Sequence, residues 1–576
     1  MHAFTFRYLP IFFLWLGVAV NFAIGKTYSV SRIDYKIGNP TPQIPNLNGL
    51  LNAYVPLGLS QRDFKLGELK KGLPQPLFLS DDDLFKLGEV ALHFLKDRGF
   101  EGVVAFPDPR MIDPLSGEDL RPSGSSHLNI EVWISILDEL ELNGSGLKKN
   151  EEGKLRSRLE HYGNETNAIG KPVSKDLLNR ISKLGNHSSR KSQVLLSASD
   201  RPGYVNAQVN VTRSKSENFT FAVQNGGSPT TGRWIYNAEA KTSQLTGNDD
   251  SLSLSGRVSN TGERNAFQGK YYYPFLPGDT FGMGLALGYS SYDAQTFAVT
   301  RIDFSGHNLF GDLSFIFSSD HLFDQFGRGT MEAGLRIENV EAFNSLTRSA
   351  DVTMLTPRVS FSFEQIHSYR VGKTSLSIFG NILSLDDEAM ISLGGIDTND
   401  RYARLMLAHS ENFLIGKLLS PQDKYLSKHL FSFNIQSSWA LSAGRHLPSH
   451  QFVAGGTGSV RGYPESPAAG DQGAFLSLEY RLPFLILPDP SHKNSLVWTI
   501  APFIDWAQTT VNNPKDWESD HVLLATGFNV TMPLPYGFSA RLAFAKPLRE
   551  LRAMGNILDG TRSSDYRIHS DFRWSF

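Results

Sequence analysis

Phe281-Gly-Met-Gly-Leu-Ala-Leu-Gly-Tyr-Ser290 puts a large apolar side chain at every second position, with only Gly, Ala or Ser between. A strand written this way has one bulky apolar face and one small face, which suits a wall between lipid and a lumen. Leu313, Phe315 and Phe317 repeat the pattern, as do Leu476, Leu478, Tyr480 and Leu482. The C-terminal segment is the clearest case. Tyr566, Ile568, Phe572, Trp574 and Phe576 share one face with Ser570, while Arg567, His569, Asp571, Arg573 and Ser575 take the other. A water-soluble sandwich also alternates, but it does not need aromatics so often at strand ends, where a membrane barrel carries its interfacial girdles. The stretch from Arg213 to Phe576, divided among roughly sixteen strands, leaves about 23 residues for each strand and its connection, against the 9–11 that span a bilayer. Closure into a barrel removes the edges that a sandwich must protect.

Composition agrees. The chain has 576 residues with 51 Gly, 39 Phe and 19 Tyr, a content suited to strands and turns. Its 56 basic and 58 acidic side chains give a net charge of −2, which excludes a polybasic nucleic-acid binder. A mean hydropathy of −0.24 argues against a helical membrane protein. Cysteine is absent, so disulfide frameworks, thiolate metal sites and thiol nucleophiles are all excluded. At the N-terminus, His2 and Arg7 precede an apolar run from Leu9 to Val20, and small residues stand at Ala23 and Gly25. Residues 1–25 therefore read as a secretory signal cleaved before Lys26, the run being shorter than the roughly 20 residues of a spanning helix. After export, such a chain enters a membrane as a barrel.

Between signal and barrel, one order of elements occurs twice. Over residues 26–136, a strand at Tyr28–Ile37 leads to a helix in which Ser80 precedes Asp81, Asp82 and Asp83. Leu84, Leu87, Ala91, Phe94 and Leu95 follow at helical spacing, Gly99 ends the helix, and strands follow at 102–106 and 128–136. Over residues 137–212, a strand at 137–142 leads to a charged helix at 151–162 and a second helix capped by Ser174, with Leu177, Ile181 and Leu184 on one face. Strands at 193–199 and 204–212 close the unit. The repetition fits either a modular arm or two ordinary α/β domains.

The segment Phe452-Val-Ala-Gly-Gly-Thr-Gly-Ser-Val-Arg-Gly-Tyr-Pro-Glu465 lies between two strand patterns. Gly470-Asp471-Gln472-Gly473 and the strand ending Leu478-Glu479-Tyr480-Arg481 follow it. Here the sequence closely resembles the two-partner secretion transporters, also called the hemolysin-activator family. These are outer-membrane barrels with periplasmic POTRA domains. Val460-Arg461-Gly462-Tyr463 matches the motif at the tip of a loop that, in that family, folds back into the barrel. Phe503-Ile-Asp505-Trp-Ala507 matches its strand motif Phe-x-Asp-x-Gly, with Ala in place of the last Gly. Ser199–Gly203 looks like the turn within the last POTRA domain. Val223–Ser228 with Thr231-Gly232 looks like the first barrel hairpin, and Gly247–Asp250 continues the match.

Alternation along Leu496 to Ala507 turns Trp498, Ile500, Ile504 and Trp506 outward and Phe503, Asp505 and Ala507 inward. A lumenal Asp505 needs water or a cation, and Arg461 on an inserted loop can supply a bidentate contact, with Gly458 and Gly462 allowing tight turns beside it. Such a pair is a latch for loop position more than a source of net stability. The plain alternative is a solvated Arg461 and an Asp505 that merely lines a wet pore. Trp574 and Phe576 form the C-terminal signature of the barrel.

Enzyme signals are poor. Gly372-Lys373-Thr374 resembles the end of a phosphate-binding loop, but position 367 is His where the motif requires Gly. Neither His-Glu-x-x-His nor Gly-x-Ser-x-Gly occurs. The expected fold is therefore mainly β: a transmembrane antiparallel barrel of sixteen strands preceded by two small α/β POTRA-like domains, with the barrel over residues 213–576. The resemblance implies an outer-membrane protein, its POTRA-like domains in the periplasm. It would capture an unfolded, β-helical exoprotein and thread it outward, with no enzyme activity and no cofactor, metal or nucleic acid. The alternative is an assembly factor that inserts other barrels, which shares the barrel, the loop motif and the POTRA units. Two units favour secretion. Against the family pattern, the first strand begins almost at the expected cleavage site and leaves no room for the N-terminal plug helix that many members carry, which raises the alternative.

Overall fold

The computed structural model describes residues 26–576 except 39–46, 59–60, 148, 166–167, 186, 229–230, 276–279, 298–300, 324–326, 345–349, 396, 420–421, 424, 443, 492–494, 517, 554–555 and 559. The expected signal segment, residues 1–25, lies outside the described residues. The chain divides into two compact units, Met1–Lys215 and Ser216–Phe576.

The first unit uses one sheet topology twice. Strand β1 (Arg32–Ile37), helix α1 (Asp81–Lys96), β2 (Val103–Pro107) and β3 (His127–Ile134) form the first copy. Its sheet runs β1-β3-β2, with β1 parallel and β2 antiparallel to β3. Strand β4 (Ile136–Ser145), helices α2 (Lys149–Glu165) and α3 (Lys175–Gly185), β5 (Arg190–Ala198) and β6 (Tyr204–Arg213) form the second. Its order is β4-β6-β5, with the same pair of directions.

Local chemistry explains the helices. Ser80 Oγ accepts from Asp83 N at 3.3 Å, and Ser80 N donates to the Asp83 carboxylate at 2.9 Å, so two orphan donors of α1 are satisfied reciprocally. Leu84, Leu87, Ala91 and Leu95 then bury one face of α1. Ser174 caps α3, its Oγ accepting from Leu177 N at 3.1 Å. The first strand is not continuous as its alternation suggests. It breaks at Ser31, where the N–H groups of Ser31 and Arg32 both turn to the Ser126 carbonyl, at 2.7 and 3.1 Å. Thr27–Val30 pairs instead with Leu77–Ser80. Arg121 holds the 109–125 loop against this region, donating to the Ser29 and His127 carbonyls and to Asp119. Its guanidinium keeps the Asp119 carboxyl below the usual carboxylate range. The two sheets are joined by the segment at 171–175. Val173 N donates to Ser135 O and Glu101 N to Val173 O, both at 2.8 Å, with Val173 fully buried.

The second unit is a closed barrel. Its strands are β7 (Glu217–Gln224), β8 (Ile235–Ser243), β9 (Ser251–Ser259), β10 (Arg264–Pro274), β11 (Phe281–Phe297), β12 (Arg301–Phe323), β13 (Gly327–Asn344) and β14 (Ala350–Ile366). Then follow β15 (Arg370–Phe379), β16 (Arg404–Phe413), β17 (Leu430–Ala440), β18 (Gln472–Pro488), β19 (Ser495–Thr510), β20 (His521–Pro533), β21 (Phe538–Pro547) and β22 (Arg567–Ser575). Each pairs with the next and β7 pairs with β22, which gives the sixteen strands of the closed ring. The alternation of Phe281–Ser290 appears as designed by its side-chain sizes, with Leu287 72% exposed on the outer face. Helical structure does not stop at the barrel. Helix α4 (Asp387–Ser392), capped by Asp386 through Ala389 N at 2.6 Å, and helix α5 (Ile415–Leu419) lie in strand connections.

The long connections at 380–403, 441–471 and 548–566 all lie at the end away from Phe576. At the Phe576 end the ring closes on itself. Phe576 N donates to Phe219 O and Phe219 N to Phe576 O, both at 3.0 Å, and the two rings stack at 5.6 Å. Trp574 stacks on Phe538 at 5.2 Å and donates Nε1–H to Tyr536 O at 3.2 Å. Paired β7–β22 register runs only from Thr220↔Ser575 to Gln224↔Asp571, so these terminal contacts are a large part of the seam. Deleting Trp574 to Phe576 is therefore expected to abolish the closed barrel. The check is the heat-modifiable band in outer-membrane fractions; wild-type levels of that band would contradict the assignment.

Candidate functional site

The connection between β17 and β18 does not stand clear of the barrel. A two-stranded ribbon, Phe452–Ala454 paired with Ala468–Gly470, carries its tip inward. Small residues make the seat. A Cβ on Gly473 would lie 2.1 Å from the Phe452 ring, and one on Gly470 would lie 2.6 Å from the Thr510 backbone. The tip turns at Gly455, Gly456 and Gly462, whose φ values are +109°, +87° and +97°. Gly458, expected to share that task, has open space around it and no positive φ; Gly455 and Gly456 turn the chain instead.

Arg461 is 7% exposed and Asp505 fully buried. The guanidinium donates Nε–H to Asp505 Oδ2 at 2.7 Å and Nη2–H to Oδ1 at 2.8 Å, and the Arg461 backbone N–H adds a third bond to Oδ2 at 3.1 Å. Nη1 donates to Glu479 Oε2 at 3.0 Å and Nη2 to Ser477 Oγ at 3.1 Å. The Phe503 ring lies 3.4 Å from the guanidinium carbon, so the cation is covered on one face. Around it, Ser477 Oγ donates to Asp505 Oδ1 at 2.7 Å and Asn529 Nδ2 to Glu479 Oε2 at 2.6 Å. Arg481 holds the other Glu479 oxygen at 2.7 Å.

The remaining loop residues are seated as firmly. Val460 and Tyr463 are fully buried, in a cluster with Phe452, Phe475, Ala507 and Leu523. Tyr463 Oη lies 3.0 Å from the Leu524 carbonyl and accepts from Leu524 N at 3.2 Å. Gly462 N donates to His569 Nε2 at 3.4 Å, which ties the tip to β22. At the base of the loop, buried Asp471 accepts from His446 N and Asn512 N, both at 2.7 Å. The structure thus brings Val460, Arg461, Gly462 and Tyr463 onto Phe503 and Asp505. Trp574 and Phe576 lie elsewhere, at the seam. No role was read from sequence for Ser477, Glu479, Asn529 or Asp471, although Glu479 and Asp471 lie in the segments quoted after the loop. The signal for the first two was alternation on β18, which turns them inward opposite Leu476 and Leu478, but only the register Ser477↔Asp505 and Glu479↔Phe503 places them beside the Arg.

A barrel wall that receives an arginine-tipped loop in this way is matched by a family model described as haemolysin secretion/activation protein ShlB/FhaC/HecB, over residues 203–505. The chain belongs to that family. It is accordingly an outer-membrane transporter of the two-partner secretion type, and the family implies a secreted client protein. No curated protein matches it in sequence. Among solved structures it is similar to CdiB from Escherichia coli, with 13% identity over 96% of this chain and 91% of that one, at a TM-score of 0.63. CdiB from Acinetobacter baumannii gives 14% identity over the same shares, at 0.58. BamA from Haemophilus ducreyi lacking POTRA domains 1–3 gives 14% identity over 95% of this chain and 100% of that one, at 0.52. At these identities the likeness concerns the fold alone.

Within this family member the charges form a cluster, so single removals have unequal effects. Arg461→Ala strands a fully buried Asp505, and a loss of about 3–5 kcal/mol is expected. Asp505→Ala is expected to cost less, because Glu479 still holds the guanidinium. The double substitution should fall well short of the sum of the two. Exchanging the charges, Arg461→Asp with Asp505→Arg, is expected to fail, since an acid at position 461 would face Glu479. Thermal midpoints of the heat-modifiable band of the four variants check this; additive losses would show that the residues act separately.

Proposed function

We propose that this transporter receives its client as an extended chain at the Met1–Lys215 unit in the periplasm and passes it outward through the part of the lumen that the loop leaves open. The observation that carries this reading is a division of the barrel interior. The tip of the 441–471 loop lies on the wall formed by β18, β19 and β20, with His569 of β22 beside it. Inward-pointing residues of β10 to β16 line a cavity of about 1090 Å³ of mixed character, with Glu332, Arg336, Arg358 and Ser377 beside Met354 and Phe379, and Pro448–His450 of the loop at its margin. Charges on this wall are largely matched within it. Arg358 bonds Asp312 and Glu332, each at 2.5 Å, and Arg336 pairs with Glu338 at 3.1 Å. Charge matched within the wall leaves no strong field to retain a passing segment, which suits transit better than storage.

Capture has a physical route as well. In the first unit β1 and β2 are the edges of one sheet and β4 and β5 of the other, so an extended client can add a strand through backbone hydrogen bonds. Such recognition reads backbone more than side chains and fits a repetitive client that folds into a β-helix outside. Transit of this kind breaks no covalent bond, and folding beyond the membrane supplies the bias. Membership of the secretion family favours this over barrel insertion into the membrane.

Two outcomes are expected. Removing residues 26–215 should leave a barrel that inserts, by heat modifiability, but exports no client; undiminished export would rule out capture by that unit. The absence of native cysteine allows a second check. Ser377→Cys, modified with a bulky maleimide, is expected to block export, whereas the same label on outward Ile378→Cys should not. Equal export from both labelled proteins would place the path elsewhere.

A further inference from the structure

The outer wall of the barrel carries charge where alternation predicts apolar side chains. The β15–β16 register pairs Arg370↔Phe413, Gly372↔Glu411, Thr374↔His409, Leu376↔Leu407 and Ile378↔Leu405. Ser375, Ser377 and Phe379 line the lumenal cavity, so the even-numbered residues of β15 and their partners face lipid. Ile378, 47% exposed, shows that face. Arg370, Thr374, His409 and Glu411 are therefore on the outside.

Their arrangement is built, not incidental. Glu411 is 1% exposed. Arg370 grips it bidentately, Nε to Oε1 at 2.7 Å and Nη2 to Oε2 at 3.0 Å. The ring of His409 places Nε2 3.5 Å from Glu411 Oε2 and Nδ1 2.8 Å from Thr374 Oγ1. A Cβ on Gly372 would lie 2.7 Å from Glu411 Oε2, so the wall is cut back to glycine where the carboxylate lies. Aromatic rings frame the group. Phe433 is 5.1 Å from His409, Phe413 is 6.4 Å from Phe433, and the Arg370 guanidinium is 5.7 Å from the Phe413 ring.

Depth selects the ligand. Arg370 is the first residue of β15 and Phe413 the last of β16, at the Phe576 end of the barrel. Thr374 and His409 then lie within about 13 Å of that end, at the level of head groups and the first methylenes. An ionisable cluster facing lipid carries a cost that needs a compensating role or partner. Glu411 is sealed, so it offers no open anion to the bilayer. The Arg370 side chain is 36% exposed and spends two N–H groups on Glu411, of the five that a guanidinium carries. What remains presented to the bilayer is a fixed cationic fork beside apolar rings, and its chemical complement is a phosphate joined to acyl chains.

We propose that Arg370 binds the head-group phosphate of a phospholipid in the leaflet at the Phe576 end. Glu411, itself oriented by His409, positions the guanidinium, and the acyl chains lie over Phe413 and Phe433. The test uses the full chain in a phosphate-free maltoside detergent, with dihexanoyl phosphatidylglycerol titrated and read by native mass spectrometry and by thermal midpoint. Wild type is expected to bind and to gain thermal resistance. The double variant Arg370→Gln with Glu411→Gln strands no charge and is expected to bind about tenfold more weakly, the loss of a charge-assisted bond. Lys373→Gln, on the lumenal face of the same strand, is expected to bind as wild type does. If the double variant does not fold, Arg370→Lys keeps the charge pair without the fork, and the same weakening is expected. Unchanged affinity in the folded double variant, or in Arg370→Lys when the double variant does not fold, would overturn the proposal. So would equal stabilisation of wild type by inorganic phosphate, which would indicate a soluble anion, or a dimer abolished by the double variant, which would indicate a contact between copies.

Discussion

A guanidinium taken out of water on the tip of a loop must find its counter-charges before the loop can rest, and that requirement organises one side of this barrel. Arg461 meets Asp505 through three bonds, Glu479 and Ser477 through one each, and the face of Phe503 through its π-system. These groups come from neighbouring strands β18 and β19, and Asn529 of β20 completes the shell around Glu479. None can shift by one residue without turning its side chain to the lipid. The ion cluster and the strand register thus specify each other. Desolvation offsets much of the Coulombic gain in such a cluster, so its main effect is on where the loop sits and less on net stability.

Seating the loop imposes a second constraint, on size. Gly470 and Gly473 lie under the ribbon, and a Cβ on Gly462 would meet the backbone of Lys546 and Pro547 at 3.1–3.2 Å. The glycines that let the outer wall alternate therefore have counterparts inside, where they admit a second layer of chain. On the opposite side Ser392–Gly394 and Pro448–His450 reach into the lumen but leave a cavity open. There Arg336, Arg358 and their carboxylate partners line part of that cavity. One barrel thereby holds a packed side and a more open side.

Much of this was legible in the order of residues, because the signals were periodic. Alternation through Leu496 to Ala507 correctly turned Phe503 and Asp505 inward, and the closed ring of sixteen strands was expected from chain length and the same period. Ser80 and Ser174 marked helix starts because caps are local chemistry. What escaped was non-local. The partnership of Ser477 and Glu479 with Arg461 depends on a pairing register that no short window contains. The break at Ser31 depends on the carbonyl of Ser126, far along the chain. Helix α4 had a readable Asp386 cap, but the dominant strand period obscured it.

Alternation also misleads where charge lies on the wrong side, and the two arginine clusters show how burial separates their behaviour. Arg461 is almost wholly enclosed, and its side chain is met by Asp505, Glu479, Ser477 and an aromatic face. A cation so saturated has little left with which to recognise anything else, so it acts on the geometry of its own chain. Arg370 is held by one carboxylate on one edge, while more than a third of its side chain remains exposed on a surface that meets lipid. The same fork that is a closed joint in the lumen is an open one outside. Around Arg461 the surplus hydrogen-bonding capacity is met by residues of β18 and β19; around Arg370 it is left facing the bilayer, where phosphate is the abundant group able to meet it.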